Sequence, residues 1–423
     1  MKVLILSHNP ICRTNNMGKT LFALFSAFKK DELCQLYVRP ILPDTDKCNS
    51  YYRITDREAL GSVFSFRDNG GEVFPKADKQ QADTKEKTVR RSPFKLVLRD
   101  IVWKISHVGG KKLDLWIKRE APDRIFVAPG YSCFIYDIAL KISKKYGLPI
   151  VAYICDDYCF IKNKGGLFKR LQIKKIRKKT NELMKKTSCA VTISDELKET
   201  YEKAFGVACK TVMTGGLIAP SAAKGFYRAE KHDKTAAVYL GNLARNRDVS
   251  LCEIGKALEK INKEQNADFK LFVYTGDTDE KIFSKLSEVK TIKVLKEVRG
   301  EEYLETLSSA ELLVHTEAFD EENTDLVKYS ISAKISDLVS SGRKIFVYGP
   351  ENISSVRYLA KNNAAYVATS GSELEKTLLS AFTEGGEEYI ENARRLAEKN
   401  HDMKSGGEEI HKILENVNMR RPL

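Results

Sequence analysis

The 423-residue sequence contains no run of about 18 uncharged apolar residues, the length a bilayer-crossing helix needs. With a mean hydropathy of −0.36, it does not read as a membrane-spanning chain. Tryptophan is scarce, with two residues, and the six histidines form no sequence cluster that would mark a metal centre. The nine cysteines are odd in number and scattered from Cys12 to Cys252, which suits a reducing cytosol and not a disulfide framework. The apolar run Met1–Leu6 gives way to His8, Asn9 and Pro10 in place of a long hydrophobic stretch and a cleavage site, so secretion is not expected. What remains is a globular composition, 42% hydrophobic and 30% charged, long enough for two or three domains of roughly 150 residues.

Acid is also in deficit: 71 Lys and Arg face 57 Asp and Glu, a net charge of +14. The excess is local. Residues 89–119 hold nine basic residues against Asp100 and Asp114, and residues 162–186 hold eleven against Glu182, which leaves the rest of the chain slightly acidic. In the first stretch Phe94, Val97, Leu98, Ile101, Val102 and Ile105 recur at helical spacing, flanked by Lys95, Arg99 and Lys104. In the second, Leu167, Phe168, Leu171 and Ile176 interleave with Lys169, Arg170, Lys174, Lys175, Arg177, Lys178 and Lys179. Such segments fit an anionic membrane surface, and equally a core-facing helix with a solvated lysine face. A nucleic-acid groove wants interleaved aromatics for stacking, and residues 169–186 contain none, so nucleic acid is not an expected partner.

Along the chain, apolar strands alternate with amphipathic helices twice over. The first series has strands at Met1–Ser7, Arg124–Val127, Ile150–Ile154 and Cys189–Ile193, and a polar loop at 68–91. Thr214-Gly215-Gly216 is the hinge candidate. The second series has strands at Ala236–Leu240, Lys270–Tyr274, Glu311–His315 and Lys344–Tyr348, with a helix at Ser332–Ser341. The pattern predicts an α/β protein of two doubly wound Rossmann-like domains, 1–215 and 216–399, facing across a cleft, with a last helix at about 400–423 packing back on the first. Ligands in such sheets gather at the carboxyl ends of strands.

Two clusters lie at such ends. Gly241-Asn242-Leu243-Ala244-Arg245-Asn246-Arg247 links a strand to a helix, placing amides and two guanidinium groups where a phosphate would sit; an ordinary arginine-bearing loop reads the same way. In Tyr329–Ile345, Ser332 is placed to cap a helix that carries Lys334 and Asp337 within about one turn, and Gly342 ends it. Met17-Gly18-Lys19-Thr20 ends like a phosphate loop, but Arg13 stands where its first glycine belongs. His8, at the carboxyl end of the first strand, is a candidate catalytic residue facing the cleft. Asp156 and Asp157 fit acceptor-hydroxyl binding or a base, and equally a helix-capping or solvated pair. Cys155 and Cys159 lack the partners of a zinc site and read as buried thiols.

The run Lys334–Ile345, with the Gly241–Arg247 loop, resembles the donor half of family 4 glycosyltransferases of the GT-B fold, the bacterial polysaccharide type. The resemblance covers most of the chain in architecture and about thirty residues in motif. It implies transfer of a sugar from a nucleoside-diphosphate-sugar to a glycan or polyprenyl-linked acceptor, with retention of configuration and no cofactor or essential metal. Asp337 stands at the glutamate that binds donor ribose, one methylene shorter. Arg247 and Lys334 match the positions that contact the diphosphate, with Gly241, Asn242 and Ser332 beside them, and Gly18 resembles the second glycine of the N-terminal glycine loop. The family's first glutamate is absent: eight residues before Asp337 is Tyr329, and its role either passes to Glu317, Asp320 or another carboxylate of the Glu317–Asp325 loop or is lost. The alternatives are an inactive nucleotide-sugar-binding scaffold of the same fold and a basic nucleic-acid-binding protein. A cytoplasmic enzyme, peripheral on the inner face of the cell membrane through 89–119 and 162–186, follows from the acceptor class.

Overall fold

Short apolar runs become the central strands because parallel sheets covered by helices on both faces hide every side chain of those strands. The computed structural model describes residues 1–13, 16–67, 69–75, 92–107, 109–162, 165–216 and 235–417. Parts of the expected 68–91 loop and of the two basic segments (residues 89–91, 108 and 163–164) lie outside them. The chain divides into one unit formed by Met1–Met213 with Met403–Leu423, and a second formed by Thr214–Asp402.

The first unit carries β1 (Val3–Ser7), β2 (Leu33–Tyr37), β3 (Ser50–Arg53), β4 (Gly71–Val73), β5 (Arg124–Val127), β6 (Ile150–Ile154), β7 (Thr187–Thr192) and β8 (Cys209–Thr211). They form one sheet in the order β4-β3-β2-β1-β5-β6-β7-β8. All pairs are parallel except β3 with β4, so part of the stretch read as loop is an antiparallel edge strand. Its helices are α1 (Asn16–Leu24), α2 (Asp56–Ser65), α3 (Pro93–Ile105), α4 (Lys111–Glu120), α5 (Cys133–Tyr146), α6 (Leu167–Met184) and α7 (Asp195–Phe205). The helical spacing of Leu21, Leu24, Phe25 and Phe28 runs on toward Lys29, but α1 stops at Leu24. Ser194 caps α7, its side chain accepting from the Leu197 amide.

The second unit is a fully parallel sheet of β9 (Ala236–Leu240), β10 (Lys270–Thr275), β11 (Ile292–Lys296), β12 (Leu312–Thr316), β13 (Lys344–Tyr348) and β14 (Tyr366–Ala368), in the order β11-β10-β9-β12-β13-β14. Val238 in β9 sits between Phe272 and Leu313, at the centre of the core. The helices are α8 (Arg247–Gln265), α9 (Glu280–Ser287), α10 (Glu301–Ser309), α11 (Glu321–Val327), α12 (Ile335–Val339), α13 (Ser354–Lys361), α14 (Gly371–Thr383) and α15 (Glu387–Asn400). A final helix, α16 (Met403–Asn416), belongs to the first unit and packs on α1. There the Ser26 hydroxyl donates to the Met403 carbonyl at 2.8 Å. Gly407 is required at this crossing, since a Cβ would collide with Ser26 and the Ala27 amide.

Of the three helices in the basic segments, α4 buries Leu113, Trp116 and Ile117, while α3 and α6 depart from a simple core-facing reading. In α3 the buried residues are Asp100 and Trp103, Val97 and Val102 are half-buried, and Phe94, Leu98, Ile101 and Ile105 face outward. In α6 Ile173 and Ile176 are buried, but Leu167, Phe168 and Leu171 are exposed. No described helix is long and apolar enough to cross a membrane. All nine cysteines are free thiols, and burial pushes the Cys159 thiol up to about 12.

Candidate functional site

In the second unit the connections run one way from β9 through β10 to β11, and the other way from β12 through β13 to β14. The loops after β9 and β12 therefore diverge at the point where strand order reverses, the crevice position of doubly wound sheets. The β9 loop carries Arg245 and Asn246 with φ of 64° and 58°, consecutive left-handed residues without a glycine. That conformation is uncommon for a residue with a Cβ and is tolerated best by asparagine. Here Asn246 Nδ2 donates to Asp320 Oδ2 at 3.0 Å, and Asp320 also caps α11. The strained turn starts α8 with Arg247 directed at the carboxyl end of β12.

Arg247 meets Glu317 there, from 70 residues away, through Nε at 3.1 Å and Nη2 at 2.8 Å. Its Nη1 donates to Asn242 Oδ1 at 3.0 Å. Both side chains are largely buried, 14% and 4% exposed, so the pair is held in a low-dielectric setting. Burial works against the guanidinium charge, yet Glu317 beside it raises its affinity for the proton above the usual value. Glu317 itself is pinned, its amide donating to the Tyr348 carbonyl and its carbonyl accepting from Ser250 Oγ. His315, two residues earlier, is driven down to about 4 by burial, so it is neutral and lies 3.2 Å from Ser355 Oγ.

Lys334 completes the cluster. Its ammonium donates to the Leu240 carbonyl at the end of β9 and lies 5.7 Å from the Tyr239 ring centroid. Burial lowers it to about 8, with Arg247 contributing in the same direction and Glu297, Asp337 and Asp277 opposing. The two cations thus share one poorly hydrated cluster with the Glu317 carboxylate. Gly241 makes the approach possible, because a Cβ there would lie 2.5 Å from Tyr239 Oη and 2.7 Å from Lys334 Nζ. Asp337 is buried and accepts from the Tyr303 hydroxyl at 3.0 Å.

The expected cap by Ser332 is not formed. The helix is only Ile335–Val339, Lys334 occupies its N-cap position without a side-chain cap, and the Ser332 hydroxyl sits 3.5 Å from the Lys334 amide. The reason is local: Ile335 N–H already bonds the Ser332 carbonyl, a tight turn that precedes the helix. So short a helix contributes little dipole, and charged side chains dominate the site. Sequence reasoning missed Asp277, which accepts from the Leu243 amide and from Thr275 Oγ1, and Tyr303. Asp277 follows a strand end and was discoverable on that ground; Tyr303 lies in α10 with no pattern to mark it.

In the first unit the strand order reverses between β1 and β5, and His8 follows β1 directly. Gln35 braces that loop, accepting from the Ile11 amide at 2.8 Å and donating to the Asn9 carbonyl at 3.1 Å. The His8 ring stands edge-on to Phe134 at 6.1 Å and lies against Gly130 of the β5 loop, whose φ is 64°. Gly18 lies in the first turn of α1, its carbonyl accepting from the Cys12 amide; residues 14–15 before it are outside the described set. Asp157 is a loop cap, its buried carboxylate accepting from the Cys159 and Phe160 amides at 2.8 and 2.9 Å. Asp156 accepts from the Tyr158 hydroxyl at 3.0 Å.

No protein-family model matches the chain, and no curated protein matches it either. Solved structures do. Anabaena HepE, determined with UDP and glucose, is 11% identical with a TM-score of 0.64 over 99% of this chain and 100% of that one. The chain has the GT-B fold. WaaG, a glycosyltransferase involved in lipopolysaccharide biosynthesis, is 14% identical with a TM-score of 0.59 over 98% of this chain and 100% of that one. An α,α-trehalose 6-phosphate synthase from Burkholderia multivorans is 10% identical with a TM-score of 0.64 over 99% and 100%. At such identities the likeness speaks for the GT-B architecture, the fold class expected from the alternating strands and helices.

Proposed function

We propose that the protein is a glycosyltransferase that takes a sugar from a nucleoside-diphosphate-sugar. The observation that carries this reading is the pair of enclosed cations, Arg247 and Lys334, at the strand-order reversal of the second unit, with the buried carboxylate of Asp337 close enough to act on Lys334. A diphosphate answers two neighbouring cations, and the ribose hydroxyls answer Asp337. The likeness to HepE, solved with UDP and glucose, supports the same ligand class. In the reaction the bond between the sugar's anomeric carbon and the diphosphate oxygen breaks, and negative charge grows on the departing diphosphate. Arg247 and Lys334 are placed to stabilise it, each worth about 2.7 to 4 kcal/mol by analogy with preorganised donors elsewhere. Neutralisation by side chains needs no resident metal, and the reading carries retention of anomeric configuration with it. Glu317 serves as the counter-ion that orients Arg247, not as a second ribose ligand. The acceptor is a glycan or a polyprenyl-linked one, with His8 on the acceptor side, and a lipid-linked acceptor puts the work at the inner face of the cell membrane.

The test is a thermal-shift and calorimetric series with UDP, GDP and their sugars, followed by transfer assays. A nucleoside diphosphate is expected to raise the melting temperature, and Arg247→Ala or Asp337→Ala to abolish most of that gain. Binding without turnover under every acceptor would make the protein a nucleotide-sugar-binding scaffold. Absence of binding by any nucleotide would sink the reading altogether.

A further inference from the structure

We infer that the outer faces of α3 and of the first turns of α6 form one surface that inserts shallowly into an anionic lipid bilayer. α3 is amphipathic with the wrong side out for a soluble helix. Phe94, Leu98, Ile101 and Ile105 fall on one stripe and are 53%, 50%, 48% and 53% exposed, while Asp100 and Trp103 are buried. Leu167, Phe168 and Leu171 of α6 are 68%, 43% and 47% exposed. The Phe94 and Phe168 rings meet edge-on at 5.1 Å and join the two stripes into a single patch. Contiguous exposed apolar patches of this kind mark interaction surfaces, because water exacts a free-energy cost on them that folding has not removed.

The orientation of α3 is fixed from its inner side. The Trp103 ring stacks on Phe134 at 4.0 Å, and its Nε1 donates to Asp56 at 2.8 Å. Arg99 donates to Asp56 at 2.7 Å and to Ser132 Oγ at 2.6 Å. Asp100 accepts from Lys175 at 3.1 Å and Gln172 at 3.3 Å, which ties α3 to α6. With these polar and aromatic anchors satisfied inside, rolling the aliphatic stripe inward would strand them. The outward face is therefore built, not an accident of loose packing.

Charge selects the occupant. At 100° per residue, Lys95 and Lys104 lie roughly a quarter-turn to either side of the α3 stripe, and both are exposed, where long stems let ammonium groups reach headgroups while the stripe enters the acyl boundary. On α6, Lys174 and Lys178 extend the line of Leu167 and Leu171, with Arg170 alongside, all exposed. Each helix carries one acid, Asp100 paired with Lys175 and Glu182 paired with Lys179, so the outward charge is of one sign. Apolar side chains bordered by cations, with no exposed acid on either helix left without a lysine partner, match an anionic bilayer better than a mixed-charge protein face.

The use of this surface rests on the proposed transfer to a lipid-linked acceptor, whereas binding to lipid can be read without nucleotide or turnover. The experiment is flotation of the full chain with phosphatidylcholine vesicles, with and without phosphatidylglycerol. The wild type is expected to float with the anionic vesicles. Phe94→Ser with Ile101→Ser, and separately Lys174→Glu with Lys178→Glu, are each expected to lower the partition coefficient at least about tenfold. Because all four side chains are exposed, unchanged melting temperatures will show that the variants fold. Lack of flotation by the wild type overturns the inference, as does full flotation of Phe94→Ser with Ile101→Ser, which would leave only electrostatic adhesion. Loss of self-association in these variants, with no vesicle binding by any form, would assign the patch to a second copy instead. A donor site that fails while flotation succeeds condemns the transferase reading and leaves the surface standing.

Discussion

Lys334 should make apoprotein stability and diphosphate affinity respond to pH in opposite directions. An ordinary lysine titrates near 10.5 and burial brings this one down to about 8, a difference worth about 3 kcal/mol at roughly 1.4 kcal/mol per pH unit. Burial is the main cause and Arg247 the second. Below about 8 the ammonium is charged in both folded and unfolded chains, and the folded state bears the full cost. Between about 8 and 10.5 the unfolded chain holds a proton that the folded chain has released, so this residue's contribution to stability rises with pH across that window. A diphosphate wants the ammonium charged. Its affinity should therefore fall by up to about tenfold per pH unit above about 8, with proton uptake on binding. Denaturant unfolding and UDP calorimetry, each run on the wild type and on Lys334→Met over pH 7 to 10, isolate the residue from other titrations. The variant should be more stable than wild type near neutrality, and its UDP affinity weaker and free of the alkaline limb. Parallel pH curves for the two proteins in both measurements would refute the placement of this ammonium beside Arg247.

Two further outcomes follow from the same cluster. Glu317→Gln leaves Arg247 buried without its counter-charge, so unfolding in denaturant should show a loss of about 3 kcal/mol while diphosphate binding is not weakened; the reverse pattern would make Glu317 a donor ligand. Gly241→Ala places a methyl 2.7 Å from Lys334 Nζ, and calorimetry should show UDP affinity reduced on the order of tenfold or more through displacement of that ammonium.

Strands buried on both faces were legible where their runs are almost wholly apolar. β5, β6, β9 and β13 occupy the residues their hydrophobic runs predict. β2 and β3 were not legible. Gln35 interrupts β2 because it is needed to brace the His8 loop, and β3 reads Ser-Tyr-Tyr-Arg, a pattern periodicity cannot separate from coil. Local spacing likewise announced Lys334 and Asp337 on one short segment, since residues three apart on a helical turn are neighbours whatever the fold.

The sequence by itself determined two parallel α/β units, their central strands and the residue types available at the strand ends, because burial on both faces constrains composition directly. Only the tertiary structure decided which charges meet. Arg247 finds Glu317 across 70 residues because β9 and β12 are neighbours at the strand-order reversal. It also decided that the α3 stripe faces outward, for a periodic pattern records that a helix has two faces, and only the partners of Asp100 and Trp103 settle which of them turns toward the core.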